Sequence, residues 1–90
     1  MEDRALKELK TIPGVGEAIA RDFLKLGIRK IADLKGKNPE KLYQKLCVLE
    51  QRHIDRCMLY VMRSAVYFAS HKKHNPKLLL WWNWKDRNIL

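Results

Sequence analysis

Ile12-Pro13-Gly14-Val15-Gly16 followed by Glu17-Ala18-Ile19-Ala20 is the stretch of this chain whose residue types and spacing are most suited to chemistry. Two glycines flanking one apolar residue allow a helix to reverse into a second helix within a few positions. Val15 is then expected to point into the core. The first backbone N–H groups of the second helix, at Gly16, Glu17 and Ala18, have no carbonyl one turn back and sit at the positive end of the helix dipole. Such an end binds phosphate through backbone alone. Arg21, Lys25 and Lys10 are the cations expected to support it.

Arg56, Tyr60, Arg63 and Tyr67 form a second constellation, a basic and aromatic stripe along one side of a predicted long helix. Arginines there would neutralise phosphates while tyrosines hydrogen-bond or stack on unpaired bases. The competing expectation, and the one preferred, is that a tryptophan-rich tail covers the stripe, guanidinium groups packing on indole faces. Cys47, His53 and Cys57 lack the paired short spacings of a zinc site, so the two cysteines are expected to be core thiols, with no metal. Ser64 and Ser70 lie inside a helix without a nucleophile turn, and no carboxylate pair has useful spacing. No enzymatic activity and no cofactor is therefore expected.

The elements that must position these residues read as helices throughout. The chain has 90 residues, 47% hydrophobic and 32% charged, enough for one small folded domain and too little for a large enzyme fold. A first helix is predicted over about 3–10, with Asp3 as N-cap and Leu6 and Leu9 inward. The second begins at Glu17, buries Ile19, Ala20, Phe23 and Leu26, and ends at Gly27. A helical turn follows around 31–34. Asn38-Pro39-Glu40 then opens a helix to about Leu49 with Leu42, Leu46 and Leu49 inside. The longest helix is placed over about 54–70, with Ile54, Cys57, Met58, Val61, Ala65, Phe68 and Ala69 on its broad apolar face. Asn75-Pro76 starts a last short helix carrying Leu78 to Trp82, before the tail that ends at Leu90.

Charge gives the class of partner. Nineteen Lys and Arg against ten Asp and Glu give +9, and residues 51–90 hold eight of the basic side chains but only two acidic ones. That asymmetry is the footprint of a polyanion binder. No run approaches the ~20 apolar residues of a membrane span. With no apolar stretch after Met1-Glu2-Asp3-Arg4 and only two cysteines, a cytoplasmic protein is expected.

The chain resembles the helix-hairpin-helix motif of DNA-binding proteins that read no sequence. Over most of its length it is similar to the small bacterial helix-hairpin-helix proteins of the pathogenicity-locus, mitomycin-resistance-like family. The similar segments include Ile12-Pro13-Gly14-Val15-Gly16, Leu26-Gly27-Ile28-Arg29, Ala32-Asp33-Leu34-Lys35-Gly36, Asn38-Pro39-Glu40, Asp55-Arg56-Cys57-Met58-Leu59-Tyr60-Val61 and Trp81-Trp82-Asn83-Trp84-Lys85-Asp86. Many DNA-binding hairpins carry proline then lysine after the second glycine, where this chain has Glu17 and Ala18. A paired second hairpin would fall near 48–53, which holds no glycine.

The expectation is an all-α, single compact domain of about five helices. It is built on one helix-hairpin-helix (SAM-like) unit over 3–27, packing helices over 38–70 and a Trp-rich tail over 76–90. Its expected function is sequence-independent DNA binding through Gly14, Val15, Gly16, Glu17 and Ala18, in a DNA-repair or DNA-maintenance setting. The alternative is an adaptor that docks on a protein partner, or on itself, through the hairpin or Trp81, Trp82 and Trp84. A third option is attachment of the basic C-terminus to an anionic membrane surface. Replacing Gly16 by a β-branched residue is expected to damage fold and binding together.

Overall fold

A computed structural model describes residues 2–85; the last part of the predicted tail, 86–90, lies outside the described residues. The described chain is all-α, with helices α1 (Glu2–Leu9), α2 (Glu17–Lys25), α3 (Pro39–Glu50) and α4 (Cys57–Ser70). Three 3-10 turns complete it, at Ile31–Leu34, Pro76–Leu79 and Trp81–Trp84. The expected five helices are therefore four, because the turn at Ile31–Leu34 is a 3-10 turn; the tail likewise forms two short 3-10 turns in place of a last short helix. Leu80 between them is extended, at φ −91° and ψ 111°. The radius of gyration is 12.1 Å, matching the roughly 12 Å of one packed domain of this length.

Local chemistry accounts for most boundaries. Asp3 lies inside α1, since the helix already includes Glu2, and so does not cap it. α2 ends in a Schellman arrangement: the Ile28 N–H donates to the Phe23 carbonyl at 2.9 Å and the Gly27 N–H to Leu24 at 3.0 Å. Gly27, at φ +83°, takes the left-handed position this requires. Asn38 caps α3, its side-chain oxygen accepting the Lys41 N–H at 3.2 Å, and Pro39 fills the first helical position.

α4 starts at Cys57, three residues later than the periodicity suggests. Gln51 ends α3 in the left-handed region at φ 54°, and the Tyr43 hydroxyl donates to the Ile54 carbonyl, holding that segment outside a helix. The Asp55 carboxylate accepts the Cys57 N–H at 2.9 Å, so Asp55 serves the helix start.

The core runs from α1 and α2 (Leu6, Leu9, Ala20, Phe23) through Ile12, Val15 and Leu34 to α3 and α4. α4 is its axis. Between Met58 and Tyr67 every residue but Arg63 is buried, as expected of a helix that is apolar all round. α3 covers one side and the first 3-10 turn another, and both turns of the tail cover the rest. The inner face of α3 is Leu42, Tyr43 and Leu46; Leu49 is half exposed because the packing surface stops one turn before the helix does. Cys57 is exposed and so is not a core thiol, while Cys47 is partly buried and packs against the core.

Candidate functional site

The connection between α1 and α2 is built by one tight turn. Ile12, Pro13, Gly14 and Val15 form a type II β-turn closed by the Val15 N–H donating to the Ile12 carbonyl at 3.0 Å. That turn type needs a positive φ at its third residue, and Gly14 supplies +84°. Ile12 and Val15 are buried on either side of it. A β-carbon at Gly14 would lie 3.2 Å from the Cδ1 of Trp81, so the second turn of the tail packs directly on this connection. Sequence reasoning placed no part of the tail there.

Gly16 behaves differently. It is the N-cap of α2 at φ −97° and ψ −170°, an extended backbone open to any residue, and nothing lies within 4 Å of where its β-carbon would be. The expectation that a side chain at Gly16 would damage the fold is therefore corrected: Gly14, not Gly16, is the glycine the fold requires. Gly16, Glu17 and Ala18 are all exposed, no side chain caps Gly16, and the three N–H groups donate to nothing among the described hydrogen bonds. They form a bare backbone donor set at a helix N-terminus.

The cations expected to support this set are already engaged. Glu17 sits between Lys10, at 3.9 Å, and Arg21, at 3.4 Å. An approaching phosphate would meet the same cations and the same helix end as this carboxylate. Lys25 is eight residues along α2, about 12 Å from the helix start, and bonds the Glu50 carboxylate at 2.7 Å, with Asp22 at 3.8 Å. That hydrogen bond holds Glu50 below its usual value and Lys25 above its own. Burial outweighs Lys25 at Asp22, whose pKa is raised. Lys25 thus ties α2 to α3 and stands away from the connection.

The stripe on α4 is covered, as the tail reading anticipated. Tyr60 and Tyr67 are buried, Trp84 is fully buried with its ring centroid 5.6 Å from that of Tyr67, and only Arg56 is exposed. The guanidinium of Arg63 does not pack on an indole. It lies 5.7 Å from the Tyr60 ring centroid, donates to both Glu40 carboxylate oxygens (3.3 and 2.9 Å) and to the Trp84 carbonyl at 2.9 Å. The Trp84 indole N–H donates to the Leu78 carbonyl at 2.7 Å. Of the three tryptophans, Trp81 is half buried and Trp82 is 54% exposed beside Leu80 at 40%.

Cys47, His53 and Cys57 are not gathered: no three His, Cys, Asp or Glu side chains converge among the described residues. The Asp55 carboxylate pushes the exposed Cys57 thiol above its usual value, away from thiolate and from nucleophilic use. No helix among the described residues is long and apolar enough to cross a membrane.

The sequence pattern of the family described as Pathogenicity locus (Cdd1) matches residues 2–89. Among individual proteins, the chain is similar to a mitomycin resistance protein, McrB, of Streptomyces lavendulae. The two are 32% identical over 77 residues, covering 86% of this chain and 70% of that protein. No solved structure matches.

Proposed function

The chain belongs to the Cdd1 pathogenicity locus family, and from that premise and the geometry of residues 12–18 we propose that it binds DNA without reading sequence, as a non-enzymatic helix-hairpin-helix protein. The observation that carries this reading is Gly16. The fold has space for a side chain there, and Asp, Ser or Asn would cap α2 better than glycine by a few tenths of a kcal/mol. A bare residue at that place keeps the exposed N–H groups of Gly16, Glu17 and Ala18 open to close approach by an oxyanion. Lys10 and Arg21 remain beside them once Glu17 is displaced. With two or three phosphates engaged, the connection alone contributes a slope of about −2 to −3 in log K against log salt. Among the described residues, no exposed helix rich in Arg, Asn and Gln offers base reading.

Two substitutions test it by fluorescence anisotropy on a labelled DNA duplex. Gly16→Asp adds a good N-cap and a negative charge: melting temperature is expected to hold or rise while affinity falls. Glu17→Gln removes the competing carboxylate, and affinity is expected to rise. If both variants bind as the parent does, the hairpin is not the DNA contact.

A protein-contact reading has one observation in its favour. Leu80 and Trp82 are exposed on the tail segment that packs against Gly14, so an apolar surface adjoins the hairpin. Trp82→Ala should abolish such a contact and leave DNA affinity unchanged.

A further inference from the structure

A group of lysines without ion pairs among the described residues lies away from the Gly14–Gly16 connection. Beside the connection Lys10 and Arg21 share Glu17, and farther along α2 Lys25 holds Glu50 and Asp22. Lys35, Lys37, Lys72 and Lys73 are all exposed, and none of them forms an ion pair among the described residues. Two distant segments bring them together. The Gly36 N–H donates to the Ser70 hydroxyl at 3.2 Å, which sets Lys35 and Lys37, one on each side of Gly36, against the end of α4. Lys72 and Lys73 follow His71, the residue that caps that end.

Two carboxylates, Asp33 and Glu8, lie on this face; each also accepts backbone N–H groups, and together they offset only part of its positive charge. Asp33 accepts the Arg29 N–H at 3.0 Å and the Lys30 N–H at 3.2 Å. The Arg29 bond, with the weaker one from Lys30, holds its carboxyl below the ordinary aspartate value. Arg29 and Lys30 in turn line a shallow groove with Arg4, and the one carboxylate there, Glu8, accepts the Ile31 N–H at 2.7 Å. An ordinary solvated face interleaves charges one turn apart, as α2 does with Glu17 and Arg21. This one does so only in part. Crowded like charges cost stability and raise a local potential that draws in polyanions.

We infer that Lys35, Lys37, Lys72 and Lys73, continued by Arg29, Lys30 and Arg4, form a second phosphate-contacting surface, electrostatically stronger than the hairpin and directed at the backbone of duplex DNA. The inference rests on the proposed reading that nucleic acid is the ligand. Lysine ammonium groups on flexible stems suit phosphates, which position a protein without specifying sequence. Neither segment carries an exposed Phe, Tyr or Trp on which unpaired bases would stack. The rings nearby are engaged as well: His71 Nδ1 donates to the Tyr67 carbonyl at 3.0 Å, and His74 stacks on Phe68.

The test is anisotropy with a labelled mixed-sequence duplex over a series of KCl concentrations. Wild type is compared with Lys35→Gln/Lys37→Gln, Lys72→Gln/Lys73→Gln, all four together, and Gly16→Asp, each with its melting temperature. The wild-type slope is expected to be steeper than the roughly −2 to −3 of the hairpin alone; each lysine pair removed makes it shallower by about 2, and the quadruple variant by about 4. Melting temperatures are expected to hold or rise, since no folded-state partner is lost. Lysine variants that keep the wild-type slope while Gly16→Asp loses affinity overturn this surface and leave the hairpin reading standing. Lysine variants that lose the slope while Gly16→Asp binds normally support this surface and overturn the hairpin. A wild-type protein that does not bind at ~50 mM salt overturns both, and a clear fall in melting temperature of the lysine variants marks them as structural and overturns the surface.

Discussion

Arg63 shows how far a single side chain's role can lie from its neighbours in sequence. Its place in a row with Arg56, Tyr60 and Tyr67 invites a phosphate contact, yet its side chain is only 11% exposed and its fork is filled by Glu40 and the Trp84 carbonyl. Glu40 is 23 residues away and reads in the sequence only as the second residue of a helix. No local pattern announces such a pair, which appears once α3 lies along α4. The consequence is energetic. Arg63→Met keeps much of the apolar stem but leaves the Trp84 carbonyl and the Glu40 carboxylate without their donor, at a cost of about 2–3 kcal/mol. For a domain of this size that lowers the melting temperature by roughly 10–20 °C, which circular dichroism would record. Glu40→Gln retains an acceptor on a half-exposed side chain and should cost less than about 1 kcal/mol. Equal losses from both variants would show that the ion pair, and not the Trp84 carbonyl, is what Arg63 secures.

At the scale of elements, legibility followed how local the determining interactions are. The Gly27 end of α2 and the Asn38-Pro39 start of α3 were readable because each is fixed by bonds spanning five residues or fewer, and the turn at 31–34 because its internal bonds are as local, although Ile31 also reaches Glu8. The start of α4 was not, since it depends on Tyr43 reaching the Ile54 carbonyl from the preceding helix. The tail was legible as a cover and not as two 3-10 turns, whose path is set by the Leu78 carbonyl that Trp84 must reach. In the connection, periodicity and composition located the two glycines but could not rank them. Gly14→Ala forces a β-carbon into φ +84° and toward Trp81, at an expected cost of about 1–3 kcal/mol. Gly16→Ala meets no atom and no strained angle. Urea denaturation should therefore show a lower midpoint for Gly14→Ala and nearly the parent midpoint for Gly16→Ala, with slopes unchanged. The reverse order would mean that Gly16 is held in place by the fold, and its bareness would no longer argue for a ligand.

For the molecule as a whole, the tail decides between a structural cover and a detachable docking arm. α4 has apolar or aromatic residues on all sides and needs cover on all sides. α3 and the first 3-10 turn leave the surface of Ser64 and Tyr67 to residues 76–84, whose carbonyls accept from the Ser64 hydroxyl and the Arg63 guanidinium. Trp84 has no exposed surface, and removing a buried aromatic of that size costs about 3–5 kcal/mol by itself. A 90-residue domain has about 5–15 kcal/mol in total. Deleting residues 76–90 removes Trp84 together with the Trp81 contact on Gly14, the ring against Tyr67 and the carbonyl bound by Arg63. The truncated chain is expected to lose its cooperative thermal transition and to bind hydrophobic dye while keeping part of its helical signal. Trp82→Ala is expected to melt as the parent does, because that ring is more than half exposed. A truncated chain that still unfolded cooperatively, and near the parent temperature, would make the tail an appendage. The tryptophans would then belong to an adaptor's docking arm, and a partner for the tail would be sought before any DNA.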